Sequence, residues 1–339
     1  MTITLRLLVP ISLLAGSITA QQPTVGTEPV RPSPISQSEL VRRMTTSLDS
    51  LAKAGQFSGV AVVAKDGVPV FQHAYGMADR ERGIANNPET AFNIGSINKV
   101  FTQIAILQLR DAGKLDLDST LAKYWPDYPN KEVAGKITIR QLMRHTSGIG
   151  GNIFAPPAGG KRSDIRTLKD FLPLFVNEPL KFEPGARNAY SNAGYVVLGL
   201  LIERLSGSDY YTYVREHIFK PAGMTRTGSF AVDSLPLNTA IGYTRGDQDA
   251  PLTTPLRPNT QDLPGRGSSA GGGYSTPQDL LKFVQALREK RIPSGLPAGI
   301  GVAGGSGGIN ALVEGDLPGG YDLVVLANLD PPEIGRAHV

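Results

Sequence analysis

The chain contains no cysteine, and only four of its 339 residues are histidine. The lack of cysteine excludes disulfide bonds, thiolate metal sites, a cysteine nucleophile and a bacterial lipid anchor. The histidines lie far apart, without the spacing of metal ligands, at positions 73, 145, 217 and 338. We therefore predict that the protein uses no metal and no other cofactor.

Long runs of like charge are also absent. The formal net charge is +4, and the lysines and arginines are scattered along the chain. Nucleic acid is therefore a poor candidate for a partner. A hydrophobic fraction of 40% is enough to build a core without disulfides. No pattern in the sequence predicts an oligomeric state.

The first twenty residues have the pattern of a secretory signal. Arg6 forms a short basic region, Leu7–Ala15 is the apolar core, and Ala20 is a suitable last residue before cleavage. The apolar run is shorter than the roughly 20 residues of a membrane span, so a membrane anchor is the less favoured alternative. We expect an exported protein, periplasmic or secreted, with no stable span in the mature chain. Residues 21–35 then form a flexible leader.

Strand patterns stand near both ends of the mature chain. Gly59–Ala64 and Val68–Tyr75, joined by the turn residues Lys65-Asp66-Gly67, predict an antiparallel hairpin. Ile309–Glu314 and Tyr321–Asn328 predict a second hairpin. Together they indicate one antiparallel sheet whose strands come from both termini.

The region between the hairpins, about residues 96–290, has mostly helical patterns. The predicted helices are Lys99–Ala112, Ile139–Met143, Thr167–Val176, Gly194–Leu205, Tyr210–Phe219 and Pro277–Leu287. Terminal strands with helices between them favour an α+β fold over a doubly wound α/β fold. We predict one domain over residues 36–339, with its sheet built from about 56–75 and 300–330.

The most informative motif is Ser96-Ile97-Asn98-Lys99, at the start of the apolar-periodic run Val100–Leu109. Positions i and i+3 share one helix face, so Lys99 would lie beside the Ser96 hydroxyl. The field of the helix N-terminus and burial both favour a neutral lysine. This is the layout of an activated acyl-transfer nucleophile. Ser50 begins a second S-x-x-K match, but it lies well inside a helical pattern.

Tyr190-Ser191-Asn192 supplies partners for such a serine. It follows the turn Glu183-Pro184-Gly185 and precedes a long apolar helix pattern. A tyrosine near positive charge loses its proton more easily and can act as a general base. Asn192 can hydrogen-bond both the lysine and a substrate oxygen. The structural alternative, equally favoured on these residues alone, is a packing tyrosine before a helix capped by Asn192.

A histidine-dependent serine hydrolase is another enzyme interpretation. Gly267–Gly271 and Gly304–Gly308 both match G-x-S-x-G, with Ser269 and Ser306 at their centres. A nucleophile elbow must join a strand to a helix, and neither context predicts that. The only histidine after either match is His338, so tight turns are the favoured explanation.

The chain resembles the β-lactamase-related serine hydrolases, which include class C β-lactamases, D-alanyl-D-alanine carboxypeptidases and esterases of the same fold. The resemblance extends from about Gly59 to about Pro332 and rests on segments that occur in the family order. These segments are Gly76–Asp79, Phe92–Lys99, Gln141–Gly148, Glu183–Gly185, Tyr190–Tyr195, Pro221–Met224 and Ser269–Thr276. It implies a β-lactamase/transpeptidase-like fold and hydrolysis of a small ester, peptide or β-lactam through an acyl-enzyme.

The resemblance also implies roles for individual residues. Ser96 matches the family nucleophile and Lys99 its proton-handling partner. Tyr190 and Asn192 match the second family motif. His145, in the segment His145-Thr146-Ser147-Gly148, is expected to form a structural turn rather than to act as a base.

The third family motif departs from the usual pattern of a cation, a small residue and glycine. Here it is Val302-Ala303-Gly304, and the N–H of Gly305 would join that of Ser96 as an oxyanion donor. Because Val302 carries no charge, a substrate carboxylate would lose a charged pairing worth about 1.5–3 kcal/mol. We therefore expect short-chain neutral esters first, and D-alanyl peptides or β-lactams second.

Two differences in length leave another alternative open. Only Glu289–Gly301 separates the last predicted helix from the third motif, and the sequence stops at Val339, where relatives usually continue with a helix. The strand beside the nucleophile would then be poorly supported. A penicillin-recognising sensor or an inactive homologue is therefore the non-enzyme alternative.

Overall fold

The structure is a computed structural model that describes residues 35–246, 250–296 and 299–330. The predicted export signal, nearly all of the predicted leader and His338 lie outside the described residues. None of the helices within these ranges combines the length and the apolar character needed to cross a membrane.

The predicted hairpins and helices occur in their predicted order, with further short elements between them. The α-helices of the described ranges are α1 Gln37–Lys53, α2 Asn98–Asp111, α3 Leu121–Tyr124, α4 Lys131–Lys136, α5 Ile139–Met143, α6 Leu168–Phe171, α7 Asn192–Ser206, α8 Tyr210–Val214, α9 Lys220–Ala222 and α10 Pro277–Arg288. The strands are β1 Gly59–Lys65, β2 Val68–Tyr75, β3 Met77–Asp79, β4 Ile84–Ala85, β5 Phe92–Asn93, β6 Tyr243–Thr244, β7 Arg257–Pro258, β8 Tyr274–Ser275, β9 Ile300–Ser306, β10 Ile309–Leu317 and β11 Tyr321–Ala327. Short 3-10 turns cover Gly95–Ile97, Arg162–Asp164, Leu172–Leu174, Val232–Ser234 and Thr260–Asp262.

The main sheet has five antiparallel strands in the order β2-β1-β11-β10-β9. Both predicted hairpins are present, β1 with β2 and β10 with β11. The central pairing of β1 with β11 joins the two ends of the chain, with Val62 opposite Val324. The prediction of an α+β fold with one sheet from both termini is therefore confirmed.

Strand β1 explains why two cores form, one on each face of the sheet. Successive strand residues point to opposite faces. Val60, Val62 and Ala64 belong to the larger core under the helices, whereas Ala61 and Val63 belong to a smaller core that includes residues of α1. The near-continuous apolar run of this strand is what burial on both faces requires.

Two predicted helices are interrupted, in each case near a proline. The predicted helix Thr167–Val176 is split into α6 and a 3-10 turn that contains Pro173, which cannot donate a backbone hydrogen bond. The predicted helix Tyr210–Phe219 widens to π geometry over Arg215–Phe219, just before Pro221.

The short pairing of β5 with β8 places the turn that carries Ser96 beside a glycine-rich loop. Strand β5 ends immediately before the turn that carries Ser96, and β8 begins immediately after the loop 266–273. Because β5 pairs with β8, the turn and the loop lie side by side. Their backbones are joined by hydrogen bonds from Ile94 N to Gly273 O, at 2.8 Å, and from Gly272 N to Gly95 O, at 3.3 Å.

Candidate active site

Ser96 lies in the 3-10 turn that leads directly into α2. The turn is held by a hydrogen bond from Ile97 N to Ile94 O, at 3.1 Å, and one from Gly95 N to Asn93 Oδ1, at 3.0 Å. Lys99 follows one turn later on the same face, as the i, i+3 spacing predicts. Its Nζ lies 3.1 Å from Ser96 Oγ.

The loop before α7 brings the second predicted pair to the same place. Tyr190 OH lies 2.6 Å from Ser96 Oγ, and Asn192 Oδ1 accepts a hydrogen bond of 2.7 Å from Lys99 Nζ. The residue that caps α7 is Ser191, whose hydroxyl accepts from Gly194 N at 3.1 Å. The alternative in which Asn192 caps this helix is therefore wrong, and its amide is available to the lysine.

Lys99 is almost fully buried, with 6% of its surface exposed. Besides its contacts with Ser96 and Asn192, its Nζ donates to Ala270 O in the glycine-rich loop. It also lies over the rings of Tyr190 and Tyr195, at 4.7 and 5.4 Å from their centroids. The rings favour the ammonium form, but burial opposes it more strongly and lowers the pKa of Lys99 to about 7.

A neutral Lys99 amine matches its three polar neighbours. It has two N–H donors for the two carbonyl-type acceptors, Asn192 Oδ1 and Ala270 O, and one lone pair. That lone pair can accept the Ser96 hydroxyl, and the Tyr190 hydroxyl can then donate to Ser96 Oγ. Each of these four contacts is then made with both hydroxyls protonated.

Tyr190 is not poised to ionise. Its side chain is 45% exposed, but its hydroxyl points to Ser96, and burial raises the pKa of Tyr190 while the Ser96 hydrogen bond offsets this only in part. Burial therefore does not favour the tyrosinate that a base at Tyr190 would require, and the assignment of Tyr190 as the base stays a prediction. Because the pKa of Lys99 falls to about 7, much of the lysine is neutral at neutral pH and can accept a proton. Lys99 is therefore a better general base than Tyr190.

His145 supports Tyr190 instead of acting on the serine. Its Nδ1 accepts a hydrogen bond of 3.1 Å from Ser191 N, and its ring stacks on that of Tyr190 with centroids 4.6 Å apart. Burial, assisted by the charge of Lys99, lowers the pKa of His145 to about 4. A neutral, stacked imidazole agrees with the structural turn expected here.

Strand β9 forms the opposite wall, and Gly304 allows its close approach. A Cβ at Gly304 would lie 2.3 Å from Ile94 O and 2.6 Å from Ser96 N. Both distances are shorter than van der Waals contact, so only glycine fits without a backbone shift. The third motif therefore does pack directly on the turn of the nucleophile.

The hairpin of β9 and β10 orients the Gly305 N–H. Ser306 pairs with Ile309 across a two-residue turn, and Gly305 pairs with Asn310. Alternate residues of an antiparallel pair direct their N–H groups away from the partner strand. The Gly305 N–H therefore points to the free edge of β9, the edge on which the Ser96 turn packs.

These segments surround an open cavity of about 420 Å³. Ser96, Asn192 and Gly305 contribute to its lining from three different parts of the chain. Val302 does not reach it, because its partly buried side chain packs against the larger core. No group of three or more metal-ligating side chains occurs within the residues that the structure describes.

The cavity has cationic side chains that the sequence analysis missed. Its lining includes two arginines and one carboxylate, Arg162, Arg257 and Asp262. Arg162 and Asp262 come from two 3-10 turns far from the family motifs. No local pattern marks them, since only the packing of these turns brings them to the cavity. The cavity therefore has cations of its own, although Val302 supplies none.

Neither G-x-S-x-G match forms a nucleophile elbow. Ser269 is fully buried, and its hydroxyl donates to Tyr195 O at 2.8 Å. Ser306 ends β9 and is followed by the turn into β10, so no helix follows it. The histidine-dependent alternative therefore lacks the geometry it needs.

Comparison with known proteins agrees with this fold. The sequence model of the beta-lactamase family matches residues 42–327. The chain therefore belongs to the beta-lactamase family of serine hydrolases, and its fold is of the β-lactamase/transpeptidase type. A solved neighbour is the penicillin binding protein from Bacillus halodurans, with a TM-score of 0.72 and 32% identity over 84% of this chain and 94% of that one.

Two curated relatives carry different functional names. The putative penicillin-binding protein PbpX of Bacillus subtilis (strain 168) is 35% identical over 238 residues, which cover 70% of this chain and 56% of that protein. Esterase EstB of Burkholderia gladioli is 28% identical over 280 residues, covering 74% of this chain and 71% of EstB. The chain thus spans little more than half the length of PbpX.

Proposed function

We propose that this protein hydrolyses small carboxylic esters through an acyl-enzyme formed on Ser96. One observation carries the proposal. Ser96 Oγ lies within hydrogen-bond distance of both Lys99 Nζ, at 3.1 Å, and Tyr190 OH, at 2.6 Å, and it opens on the cavity. A nucleophile held by a base and an acid at a substrate-sized opening is the arrangement that acyl transfer requires.

In the proposed first step, neutral Lys99 accepts the Ser96 proton as Oγ attacks the ester carbonyl carbon. The N–H groups of Ser96 and Gly305 stabilise the oxyanion of the tetrahedral species. The C–O bond of the leaving group then breaks, and the departing oxygen takes a proton from Tyr190, which regains one from the Lys99 ammonium. Water releases the acid by the same steps in reverse.

Short-chain esters are the substrate class that we favour. Much of the cavity lining is apolar. EstB, whose match covers 74% of this chain and 71% of EstB, is named an esterase. Apolar contacts suit a short acyl chain. Export through residues 1–20 is part of the same proposal, and a mature N-terminus at Gln21 would support it.

Hydrolysis of D-alanyl peptides or β-lactams is the second candidate. PbpX and the Bacillus halodurans protein are both named penicillin-binding proteins. The arginines of the cavity also offer a cation that such substrates can use. A sensor that forms a stable acyl-enzyme without turnover is the corresponding non-enzyme outcome.

The test compares wild type with Ser96→Ala on p-nitrophenyl butyrate and nitrocefin, and adds intact mass after a fluorophosphonate probe. We expect wild type to favour the butyrate and to gain the mass of one probe. Ser96→Ala should lose both properties. Ser50→Ala is the matched control, because Ser50 begins the other S-x-x-K match, on α1, and should change neither.

Other results would change the assignment in defined ways. Ester turnover that survives Ser96→Ala would exclude Ser96 as the nucleophile. Nitrocefin turnover faster than ester turnover would favour the second candidate. Stoichiometric labelling by penicillin without turnover would favour the sensor.

A further inference from the structure

Arg162 occupies an unusual position in the wall of the candidate site. Its side chain lines the same cavity as Ser96. Its backbone is fixed, because its carbonyl oxygen accepts hydrogen bonds of 3.1 Å from both Ile165 N and Gly265 N. Arg162 is therefore anchored on a rigid turn in the wall of the space where a substrate would lie.

Part of this guanidinium is buried without a hydrogen-bond partner. Nε and Nη1 of Arg162 find no acceptor among the described residues. A buried donor left unsatisfied costs about 1–3 kcal/mol, and more when it is charged. Burial also lowers the pKa of Arg162, with only partial compensation from Asp262. In the free protein, the Arg162 guanidinium thus has two buried N–H donors without an acceptor among the described residues.

The second arginine of the cavity is different. Arg257 is exposed, and its Nη1 donates to Asp262 Oδ2 at 2.8 Å and to Pro258 O at 3.2 Å. The three ionisable side chains of the described lining thus carry a net charge of +1, from two arginines and one aspartate. Since Asp262 is already engaged by Arg257, the unbalanced charge is that of Arg162.

Phe154 covers Arg162 and can uncover it. The Arg162 Cζ lies 5.6 Å from the centroid of the Phe154 ring, which also lines the cavity. The Phe154 side chain is already 56% exposed, so its rotation away from Arg162 would bring little further apolar surface into contact with water. A ligand that displaces the ring would meet a guanidinium with two unpartnered N–H groups, and a carboxylate can accept a charge-assisted hydrogen bond from one of them.

We propose that Arg162 binds a carboxylate on the acyl part of the substrate and so selects half-esters of dicarboxylic acids over neutral esters. This inference rests on the proposed function, since it concerns the substrate of the same site. It assigns to Arg162 the anion recognition that Val302 cannot provide. Arg162 is thus a specificity residue and takes no part in the bond-breaking steps.

The experiment measures kcat/KM by pH-stat for matched ester pairs. The monoethyl esters of succinic, glutaric and adipic acid are compared with ethyl butyrate, valerate and hexanoate, in which a methyl group replaces the carboxylate. Wild type should prefer the half-ester in at least one pair. Arg162→Met should lower that preference about 10- to 100-fold, the value of one charged hydrogen-bonded pairing.

Two further variants separate recognition from structure. Arg162→Lys keeps the charge without the planar guanidinium and should restore part of the preference. Arg215→Met removes an exposed arginine that does not line the cavity and should change the preference by less than about fivefold. Neutral ester turnover in each variant reports whether the site is still folded.

The outcomes distinguish this inference from the proposed function. An unchanged preference in Arg162→Met, or an equal fall for both members of a pair, would overturn the role of Arg162. If wild type hydrolyses neither class, the proposed function fails. Calorimetric titration of Ser96→Ala with monoethyl glutarate still decides the inference in that case. Binding must then be lost in Ser96→Ala/Arg162→Met for the inference to hold.

Discussion

Lys99 shows how the surroundings of one residue select its chemistry. Its Nζ has three polar neighbours, and burial lowers the pKa of Lys99 to about 7. A base works best when its pKa lies near the operating pH. Tyr190, whose pKa is raised, and His145, whose pKa is lowered to about 4, lie on either side of that optimum.

We predict that kcat/KM rises with pH through about 7 in wild type. Below that pH, Lys99 is protonated and cannot accept the Ser96 proton, so activity should fall about tenfold per pH unit. Above it the amine is neutral and activity should level off. Steady-state kinetics on a neutral ester between about pH 5 and 9 would measure this limb.

Variants identify the group that titrates. Lys99→Met should lower kcat/KM by about 10²–10⁴-fold, the usual contribution of a general base. His145→Gln should keep the limb near pH 7, even if its loss of stacking on Tyr190 lowers kcat. A limb that disappears with His145 would contradict the assignment of Lys99.

At the scale of elements, β9 is the part that must approach the nucleophile most closely. The backbone of Gly304 contacts the backbone of the turn Gly95–Ile97. Gly305 follows, and its N–H points to the free edge of β9. The oxyanion site is thus shared between a sheet edge and a helix entrance. Its geometry depends on how closely those two elements pack.

We predict that Gly304→Ala lowers kcat/KM by about 10²-fold or more, because a shift of about 1 Å between the catalytic elements has an effect of that size. The added Cβ would meet Ile94 O and Ser96 N, which are both backbone atoms. Ester kinetics with a thermal unfolding curve would separate lost activity from lost folding.

Gly301 provides the control within the same strand. A Cβ there meets nothing within 4 Å, so Gly301→Ala should keep wild-type kinetics. Equal losses in the two variants would mean that β9 is simply intolerant of alanine. An active Gly304→Ala would show that the wall of the site can move back.

At the scale of the whole molecule, aromatic packing fixes α2, which follows the turn of the nucleophile directly, within the larger core. The ring of Phe101 meets those of Phe219 and Phe283 edge to face, with centroids 4.9 and 5.0 Å apart. Phe219 ends the π-helical segment and Phe283 lies on α10. One side chain of α2 thus joins three parts of the helical layer.

We predict that Phe101→Ala lowers the free energy of unfolding by about 3–5 kcal/mol, through lost burial and an unfilled cavity. Because Phe101 is only 1% exposed, contact with solvent cannot offset the packing that the variant loses. Denaturant unfolding followed by circular dichroism would measure the change. Leu237→Ala, at a side chain that is 93% exposed, should stay within about 0.5 kcal/mol of wild type.

Features that depend on neighbours in the chain were determined by the sequence alone. The i, i+3 spacing is enough to place Lys99 beside Ser96, because helix geometry brings those side chains together. The two hairpins follow from strand patterns on either side of short turns. Proline marks where the predicted helices depart from α geometry, at the 3-10 turn that contains Pro173 and at the π-helical segment before Pro221.

Features that depend on contacts between distant segments were decided only by the tertiary structure. The pKa of Lys99 is set by burial under a loop about 170 residues away, through Ala270. Val302 turns to the core, whereas Arg162 reaches the cavity from an unmarked turn. Burial and charge pairing arise when separate segments pack, and no local pattern encodes which segments meet. The nucleophile can therefore be predicted from four consecutive residues, but the cavity wall that selects the substrate cannot.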